Sequence, residues 1–143
     1  MRIRNSASTI ALVALCCGML SGCMPQAQSC VSWAGYDSVD AVFADSELVV
    51  RGTVTPTRKT TQLFGYDAAV HTVAVREVLK GDATAGTALP VASTPVTCSG
   101  DKVYPEGDPL DVSGEVVLFI TRDESGVWRT LTPFEGVHRD PQL

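Results

Sequence analysis

Five cysteines and two histidines are the side chains of this chain best suited to covalent, redox or metal chemistry. The cysteines stand at positions 16, 17, 23, 30 and 98, and no two of them make a C-x-x-C pair. His71 and His138 lack the spacing of metal ligands. Neither adjoins a serine or cysteine nucleophile motif and no G-x-S-x-G exists, so both read as surface histidines on a strand or tail. Asp101, Glu106, Asp108, Asp111 and Glu115 offer carboxylate oxygens of the kind calcium takes. The D-x-D-x-D-G spacing is missing, which leaves a solvated acidic loop. Gly81-Asp82-Ala83-Thr84-Ala85-Gly86 lacks the lysine that completes a phosphate-cradling loop. No catalytic residue, metal ligand or cofactor site is expected. The one position whose neighbours specify chemistry is Cys23, a thiol preceded by Leu20, Ser21 and Gly22.

The segment before Cys23 explains why that thiol matters. Arg2 and Arg4 are the only charges ahead of an apolar run at 10–20, eleven residues long. A spanning helix needs about 20. A short run behind a basic start reads as a signal peptide, and the small Ser21 and Gly22 suit a narrow peptidase site. Leu20-Ser21-Gly22-Cys23 resembles the lipobox of bacterial lipoproteins. That resemblance implies a diacylglyceryl group on the Cys23 sulfur, palmitate among its acyl chains, and cleavage just before Cys23. One acyl chain holds a protein marginally, whereas two anchor it stably at about 0.8 kcal/mol per buried CH₂. The expected address is the extracytoplasmic face of a cell membrane.

Removing 22 residues from 143 leaves 121, enough for one domain with a real core. The formal charge is −5, or −7 once Arg2 and Arg4 leave with the signal peptide. An acidic domain is a poor match for nucleic acid, which demands clustered Lys and Arg, so no nucleic-acid partner is expected. Cys16 and Cys17 leave with the leader, Cys23 is spent on lipid, and Cys30 and Cys98 remain. In an oxidising compartment such a pair most simply forms a disulfide, closing a loop of about 68 residues. A redox-active pair, a metal site and free thiols are the alternatives.

The elements that must carry these residues are mostly strands. Residues 23–35 are polar and aperiodic and read as a tether. Ser38 caps a short helix with Asp40 in its first turn and an apolar stripe of Val39, Val42 and Phe43. Alternation from Leu48 to Thr55 predicts a strand, with Gly52 marking a bend or a close backbone approach. Residues 56–65 read as a polar loop. Residues 70–79 read as a second strand whose period slips at Arg76-Glu77, the mark of a β-bulge. Leu89 and Val91 flank Pro90 in a short or edge strand, and 94–114 is a long irregular connection. Residues 115–121 are apolar on both faces and read as a central strand, followed by a hairpin turn at 123–126 and a strand at 127–131. Residues 133–143 read as a polar tail. The fold expected for 36–132 is mostly β: a small five-stranded OB-like barrel with one short N-terminal helix, or alternatively a β-sandwich.

Ala44-Asp45-Ser46-Glu47-Leu48-Val49-Val50-Arg51-Gly52-Thr53-Val54 resembles the "ADLVVxGTV" opening of many small exported bacterial proteins. Thr72 to Gly81, and Gly114-Glu115-Val116-Val117-Leu118-Phe119-Ile120, resemble the two strands that follow it in them. Several are lipoproteins of high-GC Gram-positive bacteria. The group is loosely similar to the OB-fold inhibitory domain of tissue inhibitors of metalloproteinases, the netrin-like family. Those inhibitors set a free N-terminal cysteine amine on the protease zinc, and the corresponding terminus here is Cys23. The function expected is a non-catalytic binding or interaction module of unknown ligand, monomeric, held on the membrane through Cys23 and free to meet a protein partner at the surface. The rival readings are a netrin-like protease inhibitor and a small hydrolase or redox protein using His71 or the Cys30/Cys98 pair.

Overall fold

A computed structural model describes residues 27–139. The leader, the Leu20-Ser21-Gly22-Cys23 motif and the first part of the tether lie outside them. The chain forms α1 (Val39–Asp45), β1 (Leu48–Leu63), β2 (Tyr66–Lys80), β3 (Ala88–Ala92), β4 (Glu115–Arg122), β5 (Trp128–Thr130) and β6 (Val137–His138). The sheet runs β1-β2-β3-β5-β4, and β1 also pairs with β4, which closes the ring. All neighbours are antiparallel except β3 and β5, which meet in parallel at one pair, Ala92 and Arg129. This is the five-stranded OB-like barrel, and ring closure excludes the sandwich.

The alternation in β1 and β4 decides what goes inside. Leu48, Val50, Val73, Val75, Val91, Val116, Leu118 and Ile120 fill the barrel, with Leu110 from the long connection among them. The other face of the same strands presents Val49, Val117 and Phe119 to Val42 of α1 and to Leu131. β4 is apolar on both sides because one side lines the barrel and the other lies under the helix. Ser38 caps α1 by accepting a hydrogen bond from the Ala41 N–H. Phe43 leaves the expected stripe and is exposed beneath the Lys80 ammonium.

Gly52 sits where β1 and β2 nearly touch. A Cβ there would stand 2.3 Å from the Ala74 carbonyl oxygen. The adjacent register shift leaves Arg76 unopposed, the bulge its sequence announced. Gly52→Ala is expected to cost about 1–3 kcal/mol through strand separation, measured as a lower urea midpoint at unchanged slope.

Two expectations are corrected here. The polar loop at 56–65 is strand almost throughout: β1 continues to Leu63, and only Phe64 and Gly65 turn the chain. Pro56 is tolerated because β1 leaves β4 after Thr53 and is an edge beyond it. A register shift between Pro56 and Lys59 absorbs Thr57 and Arg58. The tail at 133–143 is likewise part of the domain as far as 139. Val137 and His138 pair with Leu118 and Val117, and Pro133 and Gly136 are buried. Gly136 passes so close to Thr130 that a Cβ would meet its side chain at 2.4 Å.

Candidate functional site

Two groups of polar side chains are built by this fold, and both lie near the long connection and the β1–β2 turn. The first is interior. His71 shares the parity of Val73 and Val75 and so faces into the barrel, where it is 3% exposed. That corrects the surface histidine expected from sequence. Asp108 is not a solvated loop residue either. Its carboxylate accepts from His71 Nε2 at 2.7 Å, from the buried Ser93 hydroxyl, and from the Leu110 N–H at 2.9 Å. His71 therefore carries its proton on Nε2. Tyr104 extends the cluster, accepting from the Ala69 N–H at 3.0 Å and donating to the Ser93 carbonyl at 2.8 Å.

The three side chains of a hydrolytic triad are present, but the carboxylate stands in the middle. Ser93 donates to Asp108 and not to an imidazole nitrogen, so the ring does not act on the hydroxyl. What the cluster does is hold the 94–114 segment across the barrel and seat Leu110 in the core. Burial pushes the Tyr104 phenol up to about 12, with the Asp108 charge adding to the effect. Tyr36, donating to Asp45 at 2.6 Å, is raised to about 12 as well, by burial first and by Asp45 second. A raised folded pKa means stability that is full below the free phenol value of 10.0 and lost as pH climbs through 12. The urea midpoint is thus expected to fall between pH 10 and pH 12, and less steeply in Tyr104→Phe.

The second group forms an open cleft of about 520 Å³ at the seam between β3 and β5. Since those strands share one register pair, other parts of the chain must cover the gap. The β1–β2 hairpin does so: Leu63 and Ala68 pack on Ala92, with Phe64 and Val127 alongside. The segment from Ala27 follows. Ser29 N–H donates to the Phe64 carbonyl at 2.9 Å, and Val31 and Thr97 exchange bonds of 2.9 and 3.0 Å. Cys30 and Cys98 pair at a Cα separation of 5.4 Å, a normal disulfide span. Residues 27–33 of the expected tether are thus docked against the barrel.

The cleft has Ala27 and Ser29 on one side, Leu63 to Gly65 on another and Arg122 to Glu124 on the third, with Arg129 at its base. The Arg129 guanidinium lies 5.3 Å from the Phe64 ring and 5.8 Å from the Trp33 ring. It donates to the Thr130 and Leu131 carbonyls at 3.1 and 2.9 Å. Burial lowers its affinity for the proton, which the charges of Asp123 and Glu47 oppose. Arg129 Nε and Trp33 Nε1 are buried donors with no acceptor among the described residues. Arg122 lies over Trp128 at 4.2 Å. Trp33 meets Phe64 edge-on at 5.4 Å.

Sequence reasoning missed Arg122 and Arg129. A usable signal was present: the turn at 123–126 sets Arg122 opposite Trp128 in the hairpin register. His138 lies on β6, half-buried and apart from His71. Among the described residues no group of three or more His, Cys, Asp or Glu is placed to hold a metal, and no helix is long and apolar enough to cross a membrane. Comparison with known proteins returns no match: no protein family, no curated protein and no solved structure is similar to this chain. Fold and site together define a small OB-like barrel with an arginine-based cleft at its one weakly paired seam.

Proposed function

We propose that this chain is a membrane-anchored surface lipoprotein whose barrel acts as a non-catalytic binding module, with the seam cleft as its contact site. The observation that carries the binding reading is the base of that cleft. The Arg129 side chain lies against the Phe64 and Trp33 rings, and its own Nε and the Trp33 Nε1 are buried donors without an acceptor among the described residues. Donors left so cost about 1–3 kcal/mol each, a cost a bound acceptor repays. The anchor reading rests on Leu20-Ser21-Gly22-Cys23 behind the apolar run. No cofactor enters this reading, and the monomer is its working unit.

Labelling of cells with radioactive palmitate tests the anchor. The full chain is expected to take up label and to pellet with membranes, and Cys23→Ala is expected to lose both. Label retained in Cys23→Ala would sink the anchor. A second reading, the netrin-like protease inhibitor, draws on the same barrel and on the disulfide-held segment lying across it. It requires a free amine at Cys23, and the soluble chain beginning there would have to inhibit a metalloprotease.

A further inference from the structure

The cleft and the anchor are close in the chain, and this restricts how the domain sits. Ala27 lies against the β1–β2 turn so tightly that a Cβ on Gly65 would stand 2.4 Å from its carbonyl oxygen. Only four peptide steps separate Ala27 from Cys23. Four residues cannot span more than about 14 Å. The Cys23 backbone therefore lies within that distance of Ala27, and the acyl-glycerol group expected on its sulfur starts one side chain further on, still on the side of the turn.

The residues of this face suit a headgroup layer. The chain has two tryptophans, and both are here: Trp33 against Phe64, Trp128 beneath Arg122. Tryptophan rings concentrate at membrane interfaces, and Arg122, its guanidinium over the Trp128 ring, sets a cation beside one of them at phosphate level. Arg122 is exposed. The neighbouring acid Asp123 is turned inward, accepting from the Ser125 and Val127 N–H groups at 3.1 and 2.7 Å. Glu124 is left as the exposed acid of that turn. Elsewhere the domain is acidic enough to be repelled by an anionic leaflet.

We propose that the face formed by the β1–β2 turn, the β4–β5 turn and the Ala27 segment rests on the phospholipid headgroups of the leaflet that holds the Cys23 anchor. The cleft then opens toward the bilayer surface, with Arg122 facing phosphate. This deepens the binding reading above and rests on lipidation at Cys23.

The test uses the full processed protein in vesicles of phosphatidylcholine and phosphatidylglycerol carrying a spin label on the headgroup. Mass spectrometry of the sample comes first: an unmodified Cys23 sulfur would overturn the anchor itself. With lipid present, tryptophan emission is expected to fall on adding the labelled lipid, both in Trp33→Phe and in Trp128→Phe. A reporter variant, Thr84→Trp with both native tryptophans changed to Phe, places its indole in the exposed β2–β3 turn. That turn lies beyond the far end of the 15-residue β2 from Tyr66. It is expected to keep its emission. Lipidated protein whose native tryptophans are unquenched, or whose Thr84→Trp reporter is quenched equally, would overturn this orientation and leave the anchor standing.

Discussion

Asp108→Ala is expected to lower the unfolding free energy by about 2–5 kcal/mol, since each buried donor left unpaired costs about 1–3 kcal/mol. The carboxylate takes three donors at once: His71 Nε2, the Ser93 hydroxyl and the Leu110 N–H. Alanine strands all three, each on a residue that is 3% exposed or less. It also loosens Leu110, which is 0% exposed and part of the core cluster. Asp108→Asn separates charge from geometry. Its one oxygen keeps a donor, and a shift of the His71 proton to Nδ1 lets Nε2 accept from the new amide. The asparagine variant is expected to cost about 1–2 kcal/mol, in line with a net hydrogen bond. Urea midpoints measure both. An alanine variant within about 1 kcal/mol of the parent, near the worth of one hydrogen bond, would mean that the 94–114 segment is held by other contacts.

Cys98→Ser is expected to cost about 2–4 kcal/mol, because a cross-link closing a long loop removes much of the freedom of the unfolded chain. The loop here spans 68 residues, for which the chain-entropy relation gives about 4 kcal/mol as an upper figure. For a domain of this size that is a fall in Tm of roughly 10–20 °C. Reduction of the parent by excess dithiol should reproduce the variant, since both sulfurs are on exposed residues. The native fold keeps other ties in that region, at Ser29–Phe64 and Val31–Thr97, so the barrel itself should persist. A reduced parent as stable as the oxidised one would show that the bridge does not form in solution.

The fold was legible where one side of a strand meets the core. Period 2 from Leu48 onward, the slip at Arg76-Glu77 and the two-sided apolar run of β4 each have a local physical cause, and each appears at its expected place. The length of β1 was hidden by Pro56 and the polar residues after it. Polarity there marks an edge strand facing water, which composition cannot distinguish from a loop. The same period that placed Val73 and Val75 inside also placed His71 there, but its polarity outweighed the pattern. Asp108 was beyond reach for a different reason. A half-buried carboxylate in an irregular segment is defined by partners 15 and 37 residues away, and no local period encodes that distance. The cleft depends on the β3–β5 seam, which exists only once strand order is known. For that reason Arg122 and Arg129 had no signal beyond their hairpin register.

The pairing of β1 with β4 also sets a timetable. Leu48 pairs with Ile120, and Thr53 with Glu115. Partners so far apart in the chain pay their loop-closure entropy before any contact rewards it, so closing the ring is expected to be a late, slow step of folding. Until β4 arrives, the Leu48–Thr53 stretch has one flank satisfied by β2 and the other bare. A chain in that condition is a template for self-association, and a holding chaperone has a defined window in which to shield it.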